Sequence, residues 1–132
     1  MTMNDMRGLW RGKRIDDGEW VKGDMSRLVS KNRYYIEDNQ EDWVCEVDSS
    51  TLGECTGLTD KNGTLIFEGD IIEHEFGEQI IVVYDSEHAS FGVYYGERFF
   101  YLYEFDLSSY EVVGNVYDNP ELLKGADDDE QD

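Results

Sequence analysis

The residues that could perform chemistry lack the spacing that catalysis requires. Ser86 and His88 stand two positions apart and could pair as a nucleophile and a base. Neither a G-x-S-x-G segment nor a Gly-rich phosphate loop accompanies them, and no cysteine lies beside a histidine. We therefore predict a protein without catalytic residues, without enzymatic activity and without a cofactor.

A metal site is also not indicated by the residues that could supply ligands. Cys45 and Cys55 are ten positions apart, and His74 and His88 stand alone, so the short ligand spacings of a zinc site are missing. The acidic stretch Asp127–Asp132 contains no glycine within its acidic run, unlike a calcium-binding loop. The prediction is that the chain holds no metal.

The strongest candidate for a binding surface is the aromatic segment 91–105. Alternation of a strand places Phe99, Tyr101 and Tyr103 on one side and Phe100 and Leu102 on the other. One set must fill the core, and the other is a candidate interface, because exposed aromatic patches are rare in monomers. The predicted interface residues are Tyr94, Phe100, Tyr101 and Tyr103. The alternative is that this second set packs on an N-terminal segment carrying Trp10, Trp20 and Trp43.

The balance of charge points to the class of partner. The chain has 31 acidic and 11 basic residues, for a formal charge of −20. Such charge argues against direct binding to nucleic acid or to an anionic membrane. A protein partner with a positive surface or a second copy of the chain is expected instead. The candidate acidic face consists of Glu73, Glu75, Glu78, Asp85 and Glu87. Mere solubility is the simpler interpretation of the same residues.

Composition also favours a folded protein of a reducing compartment. Aromatic residues make up 14% of the chain, which is unlike acidic disordered segments. The two cysteines do not form a disulfide framework, and residues 1–20 contain no long apolar run of a signal peptide. The expected location is the cytoplasm.

The pattern of turns and β-branched residues predicts a mostly β fold. Strands are expected near 64–67, 70–76, 79–85, 90–95, 98–103 and 111–116, with turns at 60–63, 76–78, 85–89 and 96–97. Gly63 or Asn62 should have a positive φ in the first of these turns. Asn119 and Pro120 indicate the start of a short C-terminal helix.

The N-terminal part of the chain gives a weaker pattern. Strands are expected within 9–15 and 19–24, and residues 28–29 and 33–37 should pair as a hairpin. Trp43–Val47 alternates as a strand does. The polar residues 47–51 that follow are expected to form a helical or 3₁₀ turn capped by Asp48 or Ser49. The basic residues Arg7, Arg11, Lys13 and Arg14 should form ion pairs with the acidic remainder.

Four blocks of the sequence resemble the YopX-like family of phage and prophage proteins. They are the segment from Arg7-Gly8 to Gly23-Asp24, Val47–Gly53, the central Gly57–Ile72 with its turn Asp60-Lys61-Asn62-Gly63, and Glu111–Leu123. The blocks occur in order over residues 7–123. The resemblance implies an SH3-like open barrel, antiparallel and strongly bent, with an N-terminal β extension and a short C-terminal helix. It implies no catalytic residues.

The resemblance and the composition together predict three segments and a function. Residues 1–50 are expected to form an N-terminal β segment packed on a barrel of residues 51–124, and residues 125–132 a disordered acidic tail. The expected function is that of a phage-derived accessory protein, a non-catalytic acidic module that binds protein. Two alternatives are an acidic DNA-mimic decoy of a nucleic-acid-binding protein and a structural homo-oligomer.

Overall fold

The computed structural model describes residues 8–38 and 40–123. The chain forms two compact units, Met1–Gly57 and Leu58–Asp132, and their boundary falls within one long strand. The predicted tail 125–132 and Arg7 lie outside the described residues. The fold is mostly β, as the sequence predicts. Its strands are β1 Trp10–Arg14, β2 Trp20–Leu28, β3 Arg33–Asp38, β4 Trp43–Thr59, β5 Leu65–Phe67, β6 Asp70–His74, β7 Gln79–Ile81, β8 Val83–Asp85, β9 Ser90–Tyr95, β10 Arg98–Tyr101 and β11 Tyr110–Asn115.

Strands β1 to β4 of the first unit form a closed circuit of antiparallel pairs. Each of these strands pairs with the next, and β1 also pairs with β4. The hairpin between β2 and β3 is confirmed, with Leu28 opposite Arg33. A 3₁₀ turn, Val29–Lys31, connects these strands and ends at Asn32, whose φ is 52°. Ile36 and Val47 are buried in this unit.

The prediction of a helical turn at residues 47–51 is wrong, because β4 runs through them. Their polar side chains instead support a bulge. Arg11 of β1 lies opposite Gly53 and Lys13 lies opposite Asp48, so β4 has extra residues between these positions. The Thr51 hydroxyl accepts a hydrogen bond from the Lys13 amide at 2.9 Å and donates one to the Asp48 carbonyl at 2.6 Å. These bonds take the place of the β1–β4 backbone hydrogen bonds that the bulge interrupts.

The basic residues of β1 find partners within the first unit. The Arg14 guanidinium pairs with Asp16 at 3.0 Å, which confirms the predicted ion pairing for this residue. Arg11 and Lys13 lie over the ring of Trp20, at 4.9 and 5.4 Å from its centroid. Cation–π contacts therefore also hold the basic residues of β1 in place.

Two three-stranded antiparallel sheets make up most of the second unit. One has the order β11-β6-β7 and the other the order β10-β9-β8. Only Val82 separates β7 from β8, so the chain passes from one sheet to the other in a single residue. Val82 is fully buried. Its side chain belongs to a core with Ile66, Ile72, Ile80, Val93, Leu102 and Tyr110.

The turn before β5 is fastened by a buried carboxylate. Asp60 is 6% exposed, and its carboxylate accepts hydrogen bonds from the amides of Asn62 and Thr64 at 2.8 and 2.9 Å. Its second oxygen accepts one from the amide of Val112 in β11 at 2.8 Å. Gly63 has a φ of +81°, which confirms the predicted positive φ. The carboxylate that stabilises this turn therefore also holds β11 in place.

The predicted strands of the second unit occur within two residues of their expected ends, except that the expected strand 79–85 is divided at Val82 into β7 and β8. The expected strand at 98–103 ends at Tyr101, because Leu102–Glu104 forms a 3₁₀ turn. A second 3₁₀ turn, Leu107–Ser109, precedes β11. The predicted helix is present at residues 121–123, directly after Pro120. The Asn119 side chain accepts a hydrogen bond from the Asn115 amide at 3.2 Å and donates one to the Glu121 carboxylate of the helix at 3.4 Å.

Candidate functional site

The sheet β10-β9-β8 presents an exposed row of aromatic rings on its outer side. Tyr94 of β9 lies opposite Phe99 of β10, and Gly92 lies opposite Tyr101. The side chains of these residues share one side of the sheet, because positions alternate along each strand. Gly92 has no Cβ, which leaves room above β9 for the Phe99 ring.

Ring contacts join this row into a cluster, here called the aromatic face: His88, Tyr94, Phe99, Tyr101 and Tyr103. Phe99 contacts Tyr94 and Tyr101 edge to face, with centroids 5.2 and 5.3 Å apart. Tyr101 contacts Tyr103 at 5.3 Å. Tyr94 is 45% exposed and Tyr103 is 67% exposed. These residues therefore present rings to solvent in an ordered arrangement.

The structure brings together three of the four predicted interface residues. Tyr94, Tyr101 and Tyr103 belong to the aromatic face. Phe100 lies on the other side of the sheet, opposite Val93, and packs against the core of the second unit. Phe99 occupies the surface in its place. Alternation already grouped Phe99 with Tyr101 and Tyr103, so the sequence contained the signal that identifies it.

His88 belongs to the aromatic face although no sequence pattern indicated it. It lies in the turn between β8 and β9, and its imidazole is stacked on the Phe99 ring with centroids 4.3 Å apart and planes 15° apart. An edge of Tyr101 approaches the same imidazole, at a centroid distance of 5.8 Å. A turn side chain folded back over a sheet is set by tertiary packing rather than by periodicity.

A carboxylate borders the aromatic face. Asp85, at the end of β8, hydrogen-bonds the Nδ1 atom of His88, and only 14% of its side chain is exposed. The bond from His88, with a further one from Tyr94, holds the pKa of the Asp85 carboxyl below its ordinary value. Asp85 is therefore a fixed negative charge beside the rings. Glu87, the next predicted acidic residue, is exposed in the same turn.

The other predicted acidic residues lie on the hairpin β6–β7. Glu73 accepts a hydrogen bond from Gln79 at 3.3 Å, and Glu78 accepts one from the Tyr95 hydroxyl at 2.5 Å. Burial, and then the Glu78 carboxylate, raise the pKa of Tyr95 far above its ordinary value. Glu75 is exposed. The five predicted carboxylates are thus divided between two places in the second unit, and several are already engaged in internal hydrogen bonds.

A cleft of about 330 Å³ lies beside this hairpin. Lys61 lines it and pairs with Glu111 at 3.4 Å. Its other lining residues are Glu73, His74, Glu75 and Val113. Across the described ranges 8–38 and 40–123, no three His, Cys, Asp or Glu side chains are grouped as a metal site would require. Cys45 and Cys55 are in the thiol form rather than in a disulfide.

The first unit contains a larger open groove of about 490 Å³. Lys13, Arg14 and Arg33 line it, together with Glu46 and Asp48. Arg14 is engaged by Asp16 and Asp17, and Arg33 approaches Glu46 at 3.9 Å. Because these cations have internal partners, the groove presents little unbalanced positive charge.

The net charge is concentrated in the second unit. Eight of the 11 basic residues fall in residues 1–57, whereas 19 of the 31 acidic residues fall in 58–132. The two segments therefore have formal charges of −4 and −16. The aromatic face lies in the segment with the stronger negative charge, which favours cationic partners.

These features define a mostly β protein of two compact units with an exposed aromatic face bordered by an ionised carboxylate. The model of the family described as YopX protein matches residues 9–124, and the chain belongs to this family. A similar solved structure is that of protein EF1440 from Enterococcus faecalis, which is 23% identical, with 86% of this chain and 96% of that chain covered and a TM-score of 0.45. No curated protein matches the chain. No helix in the described part of the chain is long and apolar enough to cross a membrane.

Proposed function

We propose that this protein is a non-catalytic accessory protein of phage or prophage origin that binds a basic protein segment through its aromatic face. Its place of action is the cytoplasm of the bacterial host. The observation that carries the proposal is the exposure of joined rings next to Asp85. Aromatic residues are enriched at the centre of protein interfaces, and a contiguous exposed group of them marks an interaction surface.

The charge of the second unit supports a basic partner. A segment with a formal charge of −16 attracts cationic chains over a range of about 10 Å at moderate salt. Tyrosine and phenylalanine faces also bind the cationic side chains of lysine and arginine. The aromatic face thus offers both the long-range attraction and the contact area that a basic segment requires.

The SH3-like barrel is part of the same proposal. The strand order β11-β6-β7, the single-residue passage at Val82 and the sheet β8-β9-β10 are what a strongly bent open barrel requires. The 3₁₀ turn Leu102–Glu104 then precedes the return of the chain to β11 beside β6. In this arrangement the aromatic face is the outer side of one half of the barrel.

The DNA-mimic decoy receives less support than a peptide-binding surface. A decoy requires rows of free carboxylates with the regular spacing of phosphates. Glu73, Glu78 and Asp85 instead accept hydrogen bonds from Gln79, Tyr95 and His88. A homo-oligomer through the aromatic face is the alternative that the binding experiment separates, because it would need no basic partner.

Selection from a random dodecapeptide library tests the proposal. Peptides retained by the wild type are then counter-selected with a variant that carries both Tyr94→Ser and Tyr103→Ser, so that peptides binding this variant are removed. We expect the retained peptides to be rich in basic residues and to bind each single variant about tenfold more weakly, since central aromatic residues contribute a large share of interface energy.

Tyr84→Ser is the matched control for this experiment. Tyr84 and Tyr94 are each 45% exposed, but Tyr84 packs on Phe91 on the other side of the sheet. Its replacement should leave peptide affinity unchanged. The proposal fails if no peptide distinguishes the wild type from the double variant, or if the retained peptides are not basic.

A further inference from the structure

The turn between β8 and β9 holds an imidazole in a position that a ligand could occupy. Ala89 has a φ of 50°, and its amide donates to the Ser86 carbonyl at 3.3 Å. The turn so formed folds His88 over β10, where its ring lies nearly parallel to Phe99. The His88 side chain is 39% exposed, so it covers Phe99 as an outer layer.

The contacts of this imidazole combine two kinds of recognition. Its flat face rests on an aromatic ring, and its Nδ1 atom is hydrogen-bonded to the Asp85 carboxylate. Tyr94 also interacts with this carboxylate, and burial together with that interaction raises the pKa of the Tyr94 hydroxyl. This place therefore suits a planar group that stacks on Phe99 and donates N–H hydrogen bonds from its edge to Asp85.

We infer that His88 occupies, in the free protein, the place of an arginine side chain of the partner, which displaces it on binding. The inference rests on the proposed function and specifies which basic residue the aromatic face recognises. A guanidinium is planar, stacks on aromatic rings and donates two parallel hydrogen bonds to a carboxylate. A guanidinium would make both contacts of His88, the stacking on Phe99 and the hydrogen bonding to Asp85, and it is always charged.

Lysine fits the same place less well. Its ammonium is a compact point charge, strongly hydrated, without a flat face to lie on Phe99. It could pair with Asp85 but would not replace the stacked imidazole. The site should therefore prefer arginine over lysine in peptides of equal charge.

Displacement of His88 requires little change elsewhere. The residue lies in an exposed four-residue turn, and the ladder between β8 and β9 resumes at Asp85 and Ser90. A rotation of the side chain uncovers Phe99 and one side of Asp85 without breaking a strand. Glu87 in the same turn adds negative charge near the arriving cation.

The test compares two synthetic peptides that differ only in having arginine or lysine at their basic positions. Calorimetric titration of the full chain should give an affinity about tenfold higher for the arginine peptide. His88→Ala should strengthen arginine binding about threefold, because the competing side chain is gone. Asp85→Asn should weaken it about tenfold, whereas the charge-matched Glu75→Gln, on the β6–β7 turn, should have little effect.

Nuclear magnetic resonance of His88 supplies a second readout. The ring current of Phe99 should shift the imidazole protons upfield in the free protein, and the arginine peptide should move them back toward their values in an exposed histidine. Equal affinity for the two peptides, or unchanged affinity in His88→Ala, overturns the inference while the proposed function stands. If neither peptide binds and Tyr94→Ser has no effect on any peptide, the proposed function has failed as well.

Discussion

The ring of Phe99 lies directly over the α-carbon of Gly92 on the neighbouring strand. A Cβ built on Gly92 would stand 2.4 Å from Cζ of Phe99 and 2.3 Å from the carbonyl oxygen of Phe100. Both distances are far below a van der Waals contact. The absence of a side chain at residue 92 is therefore a condition for the aromatic face.

Gly92→Ala should destabilise the protein by about 1–3 kcal/mol, because the backbone oxygen of Phe100 cannot move aside as a side chain could. Thermal unfolding followed by circular dichroism measures the effect. Ser90→Ala, on the same face of the same strand, is the control and should change stability little. A Gly92→Ala protein as stable as the wild type would show that the Phe99 ring and the β10 backbone do not approach Gly92 this closely.

The turn at Asn62-Gly63 provides a test of backbone strain alone. Gly63 has a φ of +81°, and a Cβ there would meet nothing within 4 Å. Gly63→Val should therefore lower the free energy of unfolding by about 1–2 kcal/mol through strain at positive φ. Gly63→Asn should lower it less, because asparagine tolerates this region. Equal melting temperatures for the three proteins would contradict the turn assignment.

Asp60 should make stability depend on pH in the acid range. Burial opposes its ionisation, but the hydrogen bonds from Val112, Thr64 and Asn62 outweigh burial and hold the pKa of its carboxyl below the ordinary 3.8. Because the pKa is lower in the folded protein, the stabilisation is complete at a pH above the pKa of the unfolded chain. It is lost as the pH falls through the pKa of the folded protein. Asp60 should thus contribute fully at neutral pH and lose its contribution below about pH 4.

Asp60→Asn measures this contribution. The amide of asparagine retains one acceptor oxygen but turns an N–H group toward a backbone amide. The free energy of unfolding of the variant should therefore be about 1–3 kcal/mol lower at pH 7. In urea titrations the difference from the wild type should shrink as the pH is lowered through 4 to 3. The exposed Glu97→Gln, in the turn between β9 and β10, is the control. A difference that stays constant over this range would contradict the account.

The alternative of a homo-oligomer through the aromatic face predicts self-association that increases with salt. The formal charge of −20 separates copies of the chain at low ionic strength, whereas salt screens this repulsion and leaves the contact between aromatic faces. Light scattering at low and high salt should show a rise in mass for the wild type and a smaller rise for Tyr103→Ser. A monomeric mass at both salt concentrations would exclude association through this face.

Local chemistry accounts for what the sequence predicted well. Gly63, Gly77 and Gly96 have positive φ values in three predicted turns, so the strands between these turns could be placed from the pattern. Asn119 and Pro120 likewise marked the start of the C-terminal helix.

Features set by distant partners could not be predicted in the same way. The bulge in β4 was predicted as a turn because Asp48 and Ser50 are typical of both, and only the pairing with β1 distinguishes them. The pairing of β1 with β4 joins residues that are far apart in the sequence. The stacking of His88 on Phe99 folds a turn back onto a sheet. No periodicity reports such contacts.

The central claim is that a basic segment binds the aromatic face, and a titration of the ¹⁵N-labelled chain with an arginine-containing peptide tests it most directly. The account predicts that amide shifts concentrate in β8, β9, β10 and the turn Leu102–Glu104, with Tyr94 and Tyr101 among the largest. Shifts centred on the cleft at Glu73 and Glu111, on the groove of the first unit, or spread evenly over the acidic residues would contradict it.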